Sequence, residues 1–274
     1  MVEAVPAGPD PESLLDLAVE AARSAGELLL EGLRKGPGRV ESKSSRTDLV
    51  SDLDRASESL IMATIRRRRP DDAFLGEEGG ASSGTSAVRW VVDPLDGTVN
   101  YLYGLPVFAV SVAAEVDGRV TVGVVHDPCR QEMFTAVAGA GSYRDGERLG
   151  VSEPEDLATS LIGTGFAYDA EARRWQGLLA AALLPQVRDI RRAGAAALDL
   201  CSVAAGRLDG YYESGTHHWD RAAGGLVATE AGAWMGDLAG GPASDDMVVA
   251  AAPAIASSLR SAIVEAMSTP GAHP

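Results

Sequence analysis

Carboxylates that could do chemistry occur at three points of the sequence, two of them at the ends of short apolar runs. Glu77 and Glu78 follow one such run, and Asp93 and Asp96 follow a second. Asp220 lies where a helix is predicted to begin. Carboxylates beyond strand ends can converge in one crevice, where their like charges repel each other. Hard cations relieve that repulsion, so these residues favour a site for a cation such as Mg²⁺, which takes oxygen ligands.

The turn between Asp93 and Asp96 has the spacing that such a site needs. The two aspartates are three residues apart across a Pro-containing turn, so both can face one side. Gly97 allows a close approach of the backbone, and Thr98 adds a hydroxyl. Each cluster also has a plainer interpretation, because Asp-Pro and Asp-Gly pairs form turns and Asp220 could act only as a helix N-cap. Residue types alone leave both interpretations open.

Other catalytic or metal-binding patterns are absent from the sequence. It contains no Gly-x-x-x-x-Gly-Lys-Ser/Thr phosphate loop, no His-Glu-x-x-His and no Gly-x-Ser-x-Gly. The adjacent His217 and His218 would face opposite sides of a strand, which disfavours a histidine metal site. Cys129 and Cys201 could form at most one disulfide, and so few cysteines suggest a reducing compartment.

The elements that position these residues follow from the spacing of the apolar residues. Helical spacing predicts one helix from Pro11 to just before Gly36 and a second over 51–69. Asp117-Gly118 is a two-residue hairpin signal within an antiparallel meander. The predicted strands of this part are 73–75, 88–92, 107–116, 119–126, 132–137 and 142–144.

After about residue 155, strands and helices are predicted to alternate. The predicted strands are 161–164, 187–191, 210–213, 234–237 and 247–251, and the predicted helices are 170–184, 195–205, 220–231 and 253–267. This change divides a single domain, 11–274, into an α+β half over 11–155 and an α/β half over 156–274, with layered sheets and helices. Residues 1–10 are predicted to be a flexible N-terminus.

The composition is that of a globular protein. Of 274 residues, 46% are hydrophobic and 23% are charged, which excludes collagen, coiled coils and wholesale disorder. The net charge of −15 disfavours direct binding to nucleic acid or to an anionic membrane. The sequence shows neither the features of a signal peptide nor an apolar run of about 18 residues. It therefore predicts a soluble cytoplasmic protein.

Four motifs, in the same order, resemble those of the inositol monophosphatase family. Residues 90–101 (Trp-Val-Val-Asp-Pro-Leu-Asp-Gly-Thr-Val-Asn-Tyr) resemble its first signature, and residues 219–232, which begin Trp-Asp-Arg-Ala-Ala-Gly, resemble its second. Gly-Glu-Glu at 76–78 resembles the metal-binding motif, and residues 43–54 are similar to the N-terminal Lys and Asp motif. The resemblance covers about 14–267. The departures are Tyr101, Ala167 and Ala233, none of them a ligand in the family.

The resemblance implies a five-layer α-β-α-β-α fold and a Mg²⁺-dependent, Li⁺-sensitive phosphomonoesterase that forms a homodimer. It implies two to three Mg²⁺ ions in the active site. Glu77, Asp93 and the Leu95 carbonyl would bind the first ion, and Asp93, Asp96 and Asp220 the second. Glu77 would also reach a third, weaker ion.

The resemblance also assigns roles in catalysis. Glu77 and Thr98 would orient the attacking water, and Asp54 would support Thr98. The backbone N–H groups of Gly97 and Thr98 would bind the phosphate. A water on the Asp220 metal could protonate the departing alkoxide.

Substrate selection is expected to depend on Glu213, which ends a predicted strand seven residues before Asp220. In inositol-specific members, the matching Glu accepts hydrogen bonds from ring hydroxyls, and a carboxylate acceptor suits a polyol. Asp220 is also expected to touch the substrate. The other wall would be formed by residues at a predicted helix start, namely Gly194, Ala195 and Ala196.

These expectations make the protein an inositol-1-phosphatase. Rivals with the same chemistry act on histidinol phosphate, fructose 1,6-bisphosphate or a 3′-phosphoadenosine nucleotide. A regulatory role through protein partners, as some bacterial relatives play with the transcription machinery, stays open. An aspartyl-phosphate mechanism of the haloacid dehalogenase type needs Asp-x-Asp-x-Thr, whereas this sequence has Asp-x-x-Asp-Gly-Thr.

Overall fold

The computed structural model describes residues 9–35, 40–42 and 49–268. Most of the predicted N-terminal tail, the predicted helix stop at Gly36, and residues 43–48 with Lys43 and Asp48 lie outside the described residues. No helix in the described ranges is long and apolar enough to cross a membrane. The α-helices are α1 (Pro11–Lys35), α2 (Asp52–Arg66), α3 (Thr98–Leu102), α4 (Ala170–Leu183), α5 (Ala196–Ala204), α6 (His218–Glu230) and α7 (Pro253–Met267).

The described strands form two large sheets and one small pair. The strands are β1 (Val40–Ser42), β2 (Leu49–Ser51), β3 (Ala73–Gly76), β4 (Gly80–Ser82), β5 (Val88–Asp96), β6 (Ala109–Val116), β7 (Arg119–Asp127), β8 (Glu132–Val137), β9 (Gly141–Arg144), β10 (Glu147–Arg148), β11 (Leu161–Thr164), β12 (Asp189–Arg191), β13 (Gly210–Glu213), β14 (Trp234–Gly236) and β15 (Val248–Ala251). The eight-stranded sheet has the order β10-β9-β8-β7-β6-β5-β3-β4, and the five-stranded sheet has the order β12-β11-β13-β15-β14. β1 and β2 pair only with each other.

Both large sheets contain parallel as well as antiparallel strand pairs. In the eight-stranded sheet all neighbours are antiparallel except β3 and β5, which are parallel. In the five-stranded sheet β11 is parallel to β12 and to β13, and α4 and α5 lie in the connections between them, as parallel strands require a crossover. The predicted meander and the predicted alternation are both confirmed.

Apolar side chains alternate between the two faces of each strand, and this alternation builds three cores. On β5, Val92 packs with α1 and α2, whereas Val91 packs toward α5 and α6. On β13, Tyr211 joins the same middle core and Tyr212 packs with α4 and α7. Both sheets are therefore covered on both faces, with α5 and α6 between them. The layer order is α-β-α-β-α, as predicted.

Some predicted element bounds were wrong for identifiable reasons. The second helix ends at Arg66 rather than at residue 69, after beginning with Ser51 as its N-cap. Helix α6 begins at His218, so Asp220 is its third residue and belongs to a capping box instead of being the N-cap. The β1–β2 pair, β4, α3 and β10 were not predicted, because segments of two to five residues carry too little periodicity.

Gly123 provides a test of the packing between β7 and α6. A methyl group at this position would come within 2.7 Å of the Ala223 carbonyl oxygen, which belongs to the helix backbone. Gly123→Ala is expected to lower the free energy of unfolding by about 1–3 kcal/mol because the backbones must separate. Urea unfolding measures this change. The matched control is Gly177→Ala at an exposed position of α4, where the space is open; this variant should gain about 0.5–1 kcal/mol of stability.

Candidate active site

A bulge at the end of β5 brings Asp93 and Asp96 to one side of the large sheet. Asp93 pairs with Ser111 and Asp96 with Ala109 on β6, so three steps along β5 match two steps along β6. One extra residue therefore interrupts the ladder and bends the strand. The Leu95 N–H donates to Asp93 Oδ1 at 3.0 Å, which stabilises the turn.

Glu77 reaches the same place from the neighbouring parallel strand. The last residue of β3, Gly76, pairs with Val92, so the next residue emerges beside Asp93. The Glu77 N–H donates to the Val92 carbonyl at 3.2 Å, which extends the pairing by one residue. Carboxyl ends of parallel strands meet at one edge of a sheet, and here that edge carries two acidic residues.

The backbone after the bulge turns sharply at Gly97. This residue has φ 89°, and a side-chain carbon on it would lie 2.9 Å from the Val107 carbonyl oxygen. Both the left-handed conformation and the close backbone contact favour glycine. The turn leads directly into Thr98, the first residue of α3.

Thr98 and Asp54 form a buried hydrogen-bonded pair. Thr98 Oγ1 lies 3.0 Å from Asp54 Oδ1 and 3.0 Å from the Leu95 carbonyl oxygen. The other oxygen of Asp54 accepts the Ser51 N–H at 2.9 Å and the Ser51 hydroxyl at 2.5 Å. Three residues further along α2, the Ser57 hydroxyl donates to the Pro94 carbonyl at 2.8 Å. Helix α2 therefore holds the turn from behind.

The second half of the chain supplies two helix N-termini. Asp96 accepts the N–H groups of Ala196 at 3.1 Å and Ala197 at 2.8 Å, at the start of α5. Asp220 accepts the His217 N–H at 2.6 Å, at the start of α6. Helix N-termini carry partial positive charge, which stabilises these carboxylates.

The predicted site residues converge on one cavity of about 380 Å³. The structure places ten of them in its lining: Glu77, Asp93, Leu95, Asp96, Gly97, Thr98, Gly194, Ala196, Glu213 and Asp220. Asp54 lies behind Thr98 and is fully buried, and Ala195 is buried beside the cavity rather than in its wall. The expected backbone donor of Ala196 is engaged by Asp96 in this structure.

The acidic residues of the cavity raise each other's pKa values. Burial raises the pKa of Asp93 well above its usual range, and the charges of Glu77, Asp96 and Asp220 raise it further. Burial raises the pKa of Asp96 to about 7, against the lowering effect of its bonds to α5. The pKa of Asp220 is raised by burial and by Asp96. A divalent cation would favour the ionised forms that these conditions oppose.

Glu213 forms the wall of the cavity away from the β5 bulge. Its carboxylate lies against the backbone of Gly165 and accepts the Tyr211 hydroxyl at 2.5 Å. Burial raises the pKa of Glu213, while the Tyr211 bond and the Arg192 charge lower it. Asp199 on α5 is 3% exposed, and burial and the Glu213 charge raise its pKa.

Several cavity residues were missed by the sequence analysis. Phe166, Tyr168 and Arg192 line the cavity. Gln176 on α4 joins two of its walls: its Oε1 accepts the Ala167 N–H at 2.9 Å and its Nε2 donates to the Ser214 carbonyl at 3.2 Å. No sequence signal separates this buried glutamine from the solvent-facing residues of an amphipathic helix, because its partners lie on other segments.

Helix α6 is anchored to the large sheet through Glu115. This carboxylate is 3% exposed and lies 2.6 Å from His218 Nε2 and 2.6 Å from Arg89 Nε. Burial alone would raise the pKa of Glu115, but the hydrogen bonds from His218 and Arg89 outweigh it and hold the pKa at about 2. Because Arg89 lies on β5 and His218 lies on α6 two residues before Asp220, the contact fixes β5, which carries Asp93 and Asp96, relative to α6, which carries Asp220.

The donor set suits a hard divalent cation. Four carboxylates and the Leu95 carbonyl offer only oxygen atoms, as Mg²⁺ prefers. Among the described residues, no three Asp, Glu, His or Cys side chains are gathered closely enough to hold a metal ion as they stand. Binding a common ion therefore requires these carboxylate oxygens to come closer together within the cavity.

Comparison with known proteins gives one consistent result. The family model described as inositol monophosphatase family matches residues 10–268. The chain is 44% identical over 246 residues to Nus factor SuhB of Pasteurella multocida, which spans 88% of this chain and 92% of that protein. It is also 44% identical over 265 residues to inositol-1-monophosphatase of Mycobacterium bovis, covering 90% of this chain and 91% of that protein.

Solved structures match the fold over the same extent. Inositol monophosphatase from Anabaena superposes with a TM-score of 0.83 at 34% identity, covering 93% of this chain and 96% of that chain. SuhB from Mycobacterium tuberculosis superposes with a TM-score of 0.80 at 38% identity, covering 94% and 98%.

Proposed function

The chain belongs to the inositol monophosphatase family, and on this basis we propose that it hydrolyses myo-inositol 1-phosphate to myo-inositol and phosphate with the help of Mg²⁺. One observation carries the proposal. Glu77 after β3, Asp93 and Asp96 on β5, and Asp220 on α6 line one cavity together with Thr98. Phosphoryl transfer needs positioned groups and neutralised charge more than covalent chemistry, and this arrangement can supply both.

One Mg²⁺ would be held by Glu77, Asp93 and the Leu95 carbonyl. A second would be held by Asp93, Asp96 and Asp220, and Glu77 would contribute to a third. When bound, Mg²⁺ neutralises phosphate charge and lowers the pKa of water, so that a nucleophile is available at neutral pH. The oxygens of these residues stay in one cavity because β3, β5 and α6, which position the residues, are fixed to each other.

Thr98 and Asp54 would accept and hold the proton of the attacking water. The Asp54 carboxylate accepts the Thr98 hydroxyl proton, which leaves a lone pair of Thr98 Oγ1 free to accept a hydrogen bond. Ser51 keeps Asp54 oriented from the other side. Glu77 would orient the same water, and the backbone N–H groups of Gly97 and Thr98 would bind the phosphate.

Glu213 would recognise the alcohol part of the substrate, with Asp220, Gly194 and Ala196 beside it. Its carboxylate lines the cavity and is held by Tyr211, so it can accept hydrogen bonds from ring hydroxyls. The same charge would repel a second phosphate, which disfavours bisphosphate and 3′-phosphoadenosine nucleotide substrates. It would attract the ammonium group of histidinol phosphate, so that substrate is the leading rival.

A second role is favoured by the names of some relatives. Proteins that are 42–44% identical to this chain are named Nus factor SuhB, and a regulatory role through protein partners is therefore the alternative function. Homodimer formation, Li⁺ sensitivity and a cytoplasmic location belong to the main proposal as features that the family resemblance implies.

Phosphate release from a panel of monoesters tests the proposal. With Mg²⁺, inositol 1-phosphate should be hydrolysed faster than histidinol phosphate, fructose 1,6-bisphosphate and a 3′-phosphoadenosine nucleotide, and EDTA should stop all turnover. Preference for another ester would change the substrate assignment, and no turnover on any of them would favour the regulatory role.

Asp93→Asn should abolish both turnover and stabilisation by Mg²⁺. A ligand at 100 times its Kd adds about 2.7 kcal/mol to the stability of the native state, so millimolar Mg²⁺ should raise the Tm of the wild-type protein. The variant loses one charge from the cavity and should show no rise in a thermal melt. Asp117→Asn, in the exposed β6–β7 hairpin, is the matched control. Full Mg²⁺-dependent turnover in Asp93→Asn would refute the metal assignment.

Thr98→Ala should lower kcat by about 10²-fold or more, the scale of a lost proton-transfer group. KM should change little, because the contribution of Thr98 to holding the water lowers the energy of the transition state rather than that of the bound substrate. Thr98→Ser keeps the hydroxyl and should recover most of the rate. Steady-state kinetics on inositol 1-phosphate decides the point, and a raised KM with an unchanged kcat would make Thr98 a substrate-binding residue.

Glu213→Gln should weaken kcat/KM for inositol 1-phosphate by about 1–3 kcal/mol, the scale of a hydrogen bond to a charged group. p-Nitrophenyl phosphate, which has no ring hydroxyls, should be hydrolysed nearly as well as by the wild type. Tyr211→Phe separates the effect of the hydroxyl that holds Glu213 from that of the carboxylate itself. Equal losses on both substrates would mean that Glu213 serves the metals or the fold.

A further inference from the structure

Helix α2 carries a buried carboxylate that the catalytic proposal does not use. Glu58 is 4% exposed, although it lies one turn after Asp54 on an otherwise amphipathic helix. Its Oε2 accepts the Glu78 N–H at 2.9 Å. Burying a carboxylate costs free energy unless the carboxylate is hydrogen-bonded. A structural role is therefore expected for Glu58 beneath the loop of residues 76–79.

The loop of residues 76–79 is shaped around this carboxylate. A side-chain carbon on Gly76 or on Gly79 would overlap the Glu58 carboxylate, one glycine against each of its oxygens. The two glycines therefore leave a notch that the carboxylate fills. Glycine at both ends of Gly-Glu-Glu-Gly is explained by close approach, since neither Gly76 nor Gly79 has a positive φ.

The hydrogen bond between Glu58 and the Glu78 N–H helps to hold the backbone on both sides of Glu77. On one side of its Cα, the Glu77 N–H donates to the Val92 carbonyl on β5. On the other side, the next N–H, that of Glu78, donates to Glu58 on α2. Both peptide groups that flank Glu77 are thus held by neighbouring elements, which fixes the position of its Cα.

We propose that Glu58 is a positioning residue for Glu77: its carboxylate holds the Glu78 N–H and the notch between Gly76 and Gly79, and so sets the place of the Glu77 carboxylate in the metal site. This inference rests on the proposed function, because the proposed function assigns Glu77 as a metal ligand. Asp54, Ser57 and Glu58 then form one inward face of α2, and each holds a different segment of the site: Thr98, Pro94 and Glu78.

The hydrogen bond and the charge of Glu58 are separated by two substitutions. Glu58→Gln keeps the volume and an acceptor oxygen but removes the charge, whereas Glu58→Ala removes the acceptor and empties the notch. Ile61→Val lies one turn further along α2, in the apolar core, and controls for a general loss of stability in this helix.

The first measurement is amide hydrogen exchange in EDTA, resolved to residues 77 and 78. In Glu58→Ala, exchange at the Glu78 amide should accelerate at least tenfold relative to the rest of β3 and α2. In Glu58→Gln and Ile61→Val it should stay within about threefold of the wild type. Unchanged exchange in Glu58→Ala would overturn the proposal. So would equal acceleration in Glu58→Gln, since the charge rather than the hydrogen bond would then hold the loop.

The second measurement is the Mg²⁺ concentration at half-maximal thermal stabilisation. Residues that orient metal ligands typically change metal affinity by about 10- to 100-fold when removed. Glu58→Ala should raise the midpoint by this factor, with rescue by Glu58→Gln and no change in Ile61→Val. A wild-type midpoint in Glu58→Ala would overturn the role in metal binding. A wild-type protein without any response to Mg²⁺ would instead refute the proposed function, and the exchange measurement would still decide the contact.

Discussion

Glu77, Asp93, Asp96 and Asp220 share one cavity, and the cost of placing their like charges together is the constraint on which the rest of the site depends. The structure offsets part of this cost with backbone N–H groups. Asp96 takes two from the start of α5, Asp220 takes one from the start of α6, and Asp93 takes one from its own turn. These bonds leave the cavity strongly acidic, as the raised pKa values of Asp93, Asp96 and Asp220 indicate. A divalent cation would supply the positive charge that these N–H groups do not.

The same constraint explains why the site lies where the two halves of the chain meet. The eight-stranded sheet supplies the ends of β3 and β5, while the second half supplies the N-termini of α5 and α6. Asn100 joins the two halves directly, since its Nδ2 donates to the Val107 carbonyl at 2.8 Å and lies 2.9 Å from the Ala193 carbonyl. Glu115 does so again by binding both Arg89 and His218. Acidic strand ends and positive helix ends are thus fixed opposite each other.

How far the sequence alone predicts this arrangement depends on the range of the interactions. The Asp93–Asp96 turn and the hairpin at Asp117 follow from local patterns, whereas the order of layers is what the family resemblance implies, and the structure agrees with all three. The role of Asp220 as the third residue of α6 could not be predicted, because the position of its helix start depends on a capping box with His217. Glu58 and Gln176 look like exposed residues of amphipathic helices. Only tertiary packing brings them to partners that lie 20 and 38 residues away.

The acidic floor of the cavity and its substrate wall are built from different segments. The floor is held by β3 and β5, with α2 behind them and the starts of α5 and α6 opposite, whereas the wall consists of Glu213 and of loops that Gln176 ties together. Changes in the wall can therefore alter which alcohol fits without moving the carboxylates that would bind Mg²⁺. This separation gives a physical reason why phosphatases with one mechanism can serve different phosphate esters.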